Sequence, residues 1–257
     1  MRLFDTHCHL DFDVFAADLD GHIDAAKQAG VERFVIPSIG PSNWRKVADL
    51  ADQYSSIYYA LGIHPYFIDP DSHTYQKQLR QLLTERPAQC VAVGECGLDA
   101  MVGIDRLRQE QIFVQQVELA QAFQLPLIIH IRKTHNRLLQ LLKQYRFSYG
   151  GVIHGFSGSY QQAMQFVDMG FFIGVGGVIT YPRASKTRQA IIQLPLESIV
   201  LETDSPDMPL NGHQGKENHP KMLAQIVSCL ASLKGMSKQT VAERVWKNSN
   251  SAFGICE

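Results

Sequence analysis

Residues 90–95 read Cys90-Val91-Ala92-Val93-Gly94-Glu95, a short apolar run that ends in a carboxylate. A continuous apolar run of this length is typical of a strand that is covered on both faces of a parallel sheet. A charge at the end of such a strand must be paired or bound to a metal ion, because an isolated buried charge is very costly. For Glu95 taken alone, a salt bridge to an arginine is the alternative explanation.

The same arrangement recurs at other places in the chain. Three further apolar runs end in a residue type that binds metals, and the first run of the chain leads into a His-x-His pair whose imidazoles face the same way. Each of these residues has an ordinary structural alternative, such as a hydrogen-bonded core histidine or a cap on the next turn. Their joint occurrence at strand ends favours one metal centre, formed by His7, His9, Glu95, His130, His154 and Asp204.

Strand-length runs alternate with amphipathic helical stretches along the whole sequence, which predicts a TIM-type (β/α)8 barrel in one domain over residues 1–257. An open doubly wound sheet is the alternative. The clearest predicted helices are Asp105–Gln124, Pro220–Leu233 and Ser237–Phe253. The predicted strands are Leu3–His7, Arg33–Pro37, Ile57–Leu61, Cys90–Gly94, Leu127–His130, Gly151–His154, Phe171–Val175 and Ser198–Glu202.

The composition excludes several classes of protein. The net charge is -1, so a nucleic acid would have to be held by local contacts and bound metal instead of a global basic field. Five scattered cysteines without a Cys-x-x-Cys pair argue against a disulfide framework and fit a reducing cytosol. The N-terminus turns polar too early for a signal peptide, and no apolar run approaches the roughly 18 residues of a membrane helix. We expect a cytoplasmic protein without a membrane association, monomeric or weakly oligomeric, with no protein partner implied.

The number of candidate ligands indicates how many ions the centre binds. Six ligands exceed what a single tetrahedral site uses, so the sequence predicts two divalent ions with Glu95 as the bridging carboxylate. Zn²⁺, Mg²⁺ and Mn²⁺ all remain open as the metal. Asp5 lies on the same strand face as His7 and is expected to support the histidine pair as a carboxylate partner.

Six sequence blocks together resemble the TatD family of metal-dependent deoxyribonucleases, in order and over the whole chain. The residues 174–187 and 206–212 look most like its YjjV-type branch. The resemblance implies a TIM barrel that binds two divalent metals through the six residues named above and hydrolyses phosphodiesters, usually of DNA. The blocks are Asp5–Asp11, Gly62–Pro65, Gly94–Asp99, His130–Arg132, His154–Gly158 and Glu202–Pro206.

The chain departs from the family pattern at a few positions. An aliphatic residue is usual where Cys96 stands, and an acidic residue is common where Lys133 stands. The family commonly has an Arg-Gly-Lys step before the asparagine that corresponds to Asn218, whereas this chain has Gln-Gly-Lys-Glu. The missing arginine weakens the expected grip on phosphate and argues against long DNA as the substrate.

We assign catalytic roles to Glu95 and Asp204, with Asp204 as the general base that orients the attacking water. His64, Arg132 and Lys216 are the candidate substrate-binding residues, because they follow strand ends and carry positive or hydrogen-bonding groups for phosphoryl oxygens. Structural roles are the alternatives for the first two: bracing a loop for His64 and pairing with an acid for Arg132.

Three functions are compatible with this pattern. The first is a phosphodiesterase or deoxyribonuclease that acts on DNA ends or short oligonucleotides. The second is an amidase, esterase or deacylase, for example on aminoacyl-tRNA, that uses the same site. The third is a non-enzymatic barrel that keeps its metals for structure or partner binding. His22, His73 and His135 fall within or beside helices and are expected to face solvent.

Overall fold

The computed structural model describes residues 1–72 and 74–256, so the expectation for His73 falls outside the described residues. Eight parallel strands form one sheet in which each strand pairs with the next along the chain. This sequential order excludes the doubly wound alternative and confirms the predicted barrel. The strands are β1 Leu3–Asp5, β2 Val31–Pro37, β3 Ile57–Leu61, β4 Cys90–Asp99, β5 Leu127–Arg132, β6 Gly151–Ile153, β7 Phe171–Val175 and β8 Ile199–Leu201.

Helices connect the strands and cover the outside of the barrel. They are α1 Asp13–Ala16, α2 Leu19–Gln28, α3 Trp44–Gln53, α4 Tyr75–Thr84, α5 Arg106–Phe123, α6 His135–Gln144, α7 Tyr160–Val167, α8 Ser185–Gln193, α9 Leu223–Lys234 and α10 Lys238–Phe253. Single 3-10 turns lie at Pro65–Phe67, Gly177–Thr180, Leu196–Ser198 and Pro220–Met222. None of the described helices combines the length and hydropathy that a membrane span requires.

The first and last strands meet through their last residues and the residues just after them. The Thr6 amide and hydroxyl both donate to the carbonyl oxygen of Leu201, at 3.0 and 2.9 Å. The Thr203 hydroxyl donates to Asp5 Oδ2 at 2.6 Å. These bonds close the cylinder at the seam between β1 and β8. The helix α10 packs against both of these strands. That residues 1–257 form one domain stays a prediction.

The helix α5 shows why the predicted helix bounds were nearly right. The Asp105 carboxylate accepts from the Arg108 amide at 3.0 Å and caps the first turn. Gln124 adopts a left-handed conformation, with φ of 55°, and ends the helix just before Pro126. The predicted ends are therefore the two caps. Likewise, Ser237 caps α10 and is not part of it.

Strand bounds at the site differ from the prediction. The strand β4 was predicted to stop at Gly94, but it continues to Asp99 beside an extended β5. A close approach of backbones explains the extra pairing: a Cβ on Gly97, where φ is 147°, would lie 2.0 Å from the His130 carbonyl oxygen. Only glycine allows the two strands this contact. Glu95 and His130 therefore lie inside paired strands, which fixes their backbones firmly.

Candidate metal centre

The carboxyl ends of the strands gather the six predicted residues into one cluster, with the buried side chain of Glu95 at its middle. Its two oxygens face different imidazoles. Oε2 lies 3.2 Å from His7 Nε2, while Oε1 lies 3.3 Å from His130 Nδ1 and 3.8 Å from His154 Nε2. The Glu95 carboxylate thus lies between His7 on one side and His130 and His154 on the other.

Asp204 completes the cluster from the loop after β8. Its Oδ1 lies 3.5 Å from His7 Nε2 and 3.8 Å from His9 Nε2, and its Oδ2 lies 3.8 Å from His154 Nε2. The Asp204 backbone has φ of 56° and donates its amide hydrogen to the His7 carbonyl oxygen at 2.9 Å. Aspartate tolerates this left-handed conformation, which turns the carboxylate over the centre. The six predicted residues therefore meet, and their role as ligands stays a prediction.

Unpaired buried atoms indicate that the cluster suits cations. His7 Nε2 and Glu95 Oε1 are both buried and have no hydrogen-bond partner among the described residues. Such atoms are costly unless another group satisfies them. Donor atoms of His7, His9 and Glu95 lie within 4.8 Å of one another, as do those of His64, Glu95 and His130. Imidazole nitrogen and carboxylate oxygen are the donor types that Zn²⁺ and Mn²⁺ accept.

Two carboxylates orient the histidine rings from the outside. Asp99 Oδ2 lies 3.0 Å from His130 Nε2, and Glu202 Oε1 lies 3.3 Å from His154 Nδ1. Each contact engages the ring nitrogen that faces away from Glu95, and the Asp99 contact is a hydrogen bond. A carboxylate in this position orients the ring and turns its other nitrogen toward the centre. The sequence pattern alone assigns neither acid a role, although both belong to blocks at strand ends.

A third group of donor atoms joins Glu202 with His7 and His154 within 4.8 Å. Glu202 Oε1 already accepts from the Gly155 amide at 2.6 Å. This bond and the contact with His154 Nδ1 occupy Oε1, while Oε2 is buried and has no hydrogen-bond partner among the described residues. We interpret Glu202 as an orienting group for His154 through Oε1.

Asp5 supports the centre differently from the prediction. Its Oδ1 accepts from the amides of Thr203, at 2.9 Å, and His7, at 3.3 Å, in addition to the hydroxyl bond at Oδ2. No hydrogen bond joins it to the His7 or His9 ring in the part of the chain that the structure describes. Burial raises the pKa of Asp5 to about 8. Asp5 therefore positions backbone at the β1–β8 seam and does not orient imidazoles.

Burial and mutual charge divide the histidines into two kinds. Burial lowers the pKa of His7 to about 4 and also lowers that of His9, so both rings are neutral at pH 7 and have a free lone pair. For His154, burial acts in the same direction but is outweighed by the charges of Glu202, Asp204 and Glu95, which raise the pKa to about 10. Without metal, His154 is therefore protonated at pH 7, and an ion that binds this ring would displace a proton.

Two of the three predicted substrate-binding residues lie at the centre. His64 Nε2 is 3.4 Å from Glu95 Oε1, while His64 Nδ1 accepts from the Tyr66 amide at 3.0 Å. His64 therefore both braces its turn and reaches the site. Arg132 is exposed at the end of β5 and lines a cleft of about 330 Å³ together with His130, His154 and Asp204.

The remaining predicted residues lie elsewhere. Lys216 is exposed and lines a separate cavity with His22, His213 and His219, so the geometry does not support its role at this centre. His22 Nδ1 is 3.1 Å from His219 Nε2. His22 and His135 are both partly buried, which makes the expectation that they face solvent wrong. Their rings pack on Phe15 and Phe156.

The sequence and the structure of this chain are similar to those of known proteins. The family described as TatD related DNase matches residues 4–254. The uncharacterized metal-dependent hydrolase YjjV of Escherichia coli K12 is 45% identical over 256 residues, which cover 99% of this chain and 98% of that protein. The crystal structure of YjjV, a TatD homolog from that organism, superposes with a TM-score of 0.95 over 99% of both chains. The 3'-5' ssDNA/RNA exonuclease TatD of Klebsiella pneumoniae is 29% identical over 98% of both chains.

Proposed function

Because the chain belongs to the TatD related DNase family and is a metal-dependent hydrolase, we propose that it hydrolyses phosphodiester bonds at DNA ends or in short oligonucleotides. The observation that carries the proposal is the position of Glu95, whose two oxygens face separate sets of imidazole nitrogens. A carboxylate in this position suits a pair of ions, and paired ions are common in enzymes that cleave phosphodiesters. The relative from Klebsiella pneumoniae, named as an exonuclease on single-stranded DNA and RNA, supports the same substrate class.

We propose that the chain holds two divalent ions, either Zn²⁺, Mg²⁺ or Mn²⁺. One set of ligands is His7, His9, Glu95 and Asp204, and the other is Glu95, His130 and His154. When bound, the ions supply positive charge for phosphoryl oxygens and lower the pKa of water. Glu95 belongs to both sets, so its removal should weaken both.

Asp204 is the proposed general base. Burial raises its pKa to about 7 in the metal-free protein, even though the charge of His154 acts in the opposite direction. A carboxylate with a raised pKa accepts a proton from water more readily near neutral pH than an ordinary one. Its side chain is 21% exposed and borders the cleft, so it is accessible to an attacking water.

Arg132 and His64 are the proposed phosphate contacts. Arg132 projects from β5 into solvent at the cleft, where its guanidinium can bind a non-bridging oxygen in a bidentate manner. The Tyr66 amide donates to His64 Nδ1, so the ring proton lies on Nε2, which faces Glu95 and is able to donate. Both side chains offer a positive charge or a hydrogen-bond donor to the phosphoryl oxygens, on which negative charge increases during phosphoryl transfer.

The location in the cell is also a proposal. All five cysteines are free, and three of them are buried. Free thiols are common in reducing compartments. This supports a cytoplasmic enzyme.

The test is a substrate panel with added Mg²⁺, Mn²⁺ or Zn²⁺. We expect cleavage of single-stranded oligonucleotides that is abolished by Glu95→Gln and Asp204→Asn. Glu197→Gln and Asp49→Asn are matched controls, because these carboxylates are 62% and 67% exposed and lie outside the centre. Hydrolysis of model esters or amides without any oligonucleotide cleavage would contradict the proposal and favour an esterase, amidase or deacylase.

A further inference from the structure

Two large aromatic side chains are exposed immediately beside the candidate centre. Tyr66 is 64% exposed and Phe67 is 44% exposed. Both lie in the short turn Pro65–Phe67, directly after His64. Single exposed apolar residues are ordinary, but two adjacent exposed aromatic rings next to a candidate metal centre are characteristic of a contact surface.

Ring contacts connect this pair to the metal ligands. The Tyr66 and Phe67 ring centroids are 5.2 Å apart, and the Phe67 centroid is 5.9 Å from that of His64. The His64 centroid in turn is 4.4 Å from that of His130. The aromatic pair is thus separated from the centre by one imidazole ring. A nucleotide whose phosphate is at the centre can reach it with its base.

The turn that carries the rings is held firmly. Pro65 occupies its first position and fixes one backbone dihedral. The His64 amide donates to the Ile39 carbonyl at 3.0 Å, and the Phe67 amide donates to the His64 carbonyl at 3.0 Å. Together with the bond from the Tyr66 amide to the His64 ring, these contacts fix the backbone below both rings. A preorganised aromatic surface loses little conformational entropy when it binds a ligand.

We propose that Tyr66 and Phe67 form a stacking platform for an unpaired nucleobase next to the cleaved phosphodiester. This inference rests on the proposed function and specifies its substrate as a single strand. Stacking on aromatic rings tolerates every base and requires that the base is not already inside a duplex. Arg132, which borders the cleft, supplies the complementary positive charge for the backbone. The platform therefore selects nucleic acid through the flat face of the base, independently of sequence.

The first experiment compares a short oligodeoxyadenylate with the same strand carrying abasic tetrahydrofuran residues at both ends. Both substrates have the same phosphates, so only the base differs. We expect Tyr66→Ala and Phe67→Ala to lower kcat/KM for the base-bearing strand about tenfold and to leave the abasic strand unchanged. Tyr66→Trp should retain wild-type discrimination. Tyr149→Ala is the matched control, because Tyr149 is 40% exposed and precedes β6 at the opposite end of the barrel.

A binding experiment tests the platform separately from the nuclease activity. The double variant Tyr66→Trp, Asp204→Asn places a fluorescent ring in the platform and prevents turnover. We expect the oligodeoxyadenylate to quench its fluorescence and the abasic strand to quench it much less. Quenching without cleavage by the wild-type protein would support the platform and overturn the proposed nuclease activity.

Three results would overturn the platform itself. The first is an absence of base-dependent quenching. The second is cleavage that falls equally for both strands in Tyr66→Ala and Phe67→Ala, which would indicate a structural effect on His64. The third is a change of oligomeric state in these variants, measured by gel filtration, with base discrimination intact. That result would identify the surface as a protein interface.

Discussion

Replacing Asp99 by asparagine should disable His130 as a metal ligand without changing the shape of the site. Asp99 Oδ1 accepts from the Met101 amide at 2.6 Å, and this bond keeps the side-chain oxygen of an asparagine in the same place. The new NH2 group then replaces Oδ2, which lies 3.0 Å from His130 Nε2. Since the amide nitrogen only donates, His130 Nε2 must become an acceptor, and the ring proton moves to Nδ1. Nδ1 is the atom that faces Glu95 Oε1.

Glu202→Gln is the matched comparison, because the same logic predicts a mild effect. One oxygen, Glu202 Oε1, accepts from the Gly155 amide and also faces His154 Nδ1. A glutamine can keep an oxygen at this position and so preserve the proton on His154 Nδ1, which leaves Nε2 available for metal. The two variants each remove one negative charge, so a simple charge effect would weaken metal binding similarly in both.

We expect Asp99→Asn to lower metal affinity about 10- to 100-fold, or about 1.4 to 2.8 kcal/mol, and Glu202→Gln to lower it by less than tenfold. Competition with a chelator of known affinity measures the loss, and thermal unfolding of the metal-free proteins checks that both variants fold. Wild-type affinity in Asp99→Asn, or a larger loss in Glu202→Gln than in Asp99→Asn, would refute the tautomer argument.

Three further predictions concern the stability of the fold. Gly97→Ala should lower the free energy of unfolding by roughly 1–3 kcal/mol in a denaturant titration and reduce metal content, because its Cβ would overlap the His130 carbonyl; Gly103→Ala, whose Cβ meets nothing within 4 Å, is the control. Asn218→Ala should cost roughly 1–3 kcal/mol by the same measurement, since the buried amide donates to two loop carbonyls. Burial lowers the pKa of His219 from 6.5 to about 4, so the unfolded state binds more protons between these values and stability is lost as pH falls through this window. His219→Asn should flatten that slope, and an unchanged pH profile of the unfolding midpoint would contradict the assignment.

The sequence predicted the barrel because its periodicity is a local property. Apolar runs such as Leu127–Ile129 have a strand's length and are fully buried, and the helix α5 carries its own caps. Strand ends were less accurate for a physical reason. The extension of β4 past Gly94 depends on the missing side chain of Gly97, which matters only once the His130 backbone lies against it. No local pattern contains that contact.

Histidines at strand ends were also predictable, since a ring nitrogen at that position in a parallel barrel points toward the common site. The residues that lie outside the centre were harder. Lys216 belongs to a loop whose path depends on Asn218, which donates to the Thr203 and Met208 carbonyls. The helical pattern around His22 predicts a solvent-facing ring, but His219, which is distant in the sequence, packs against it. At both positions, long-range contacts determine the direction of a side chain.

The acids at the strand ends divide into proposed metal ligands and proposed orienting groups according to their hydrogen bonds. Asp5, Asp99 and Glu202 each accept a backbone amide hydrogen, from Thr203, Met101 and Gly155. Glu95 and Asp204 accept none in the part of the chain that the structure describes. A hydrogen bond from a backbone amide fixes the carboxylate and leaves its other contact for a ring or a hydroxyl, whereas Glu95 and Asp204 turn both oxygens to the centre. Residue type and position at a strand end are the same in both groups, so we expect the hydrogen bonds that each acid makes to determine which of them bind an ion.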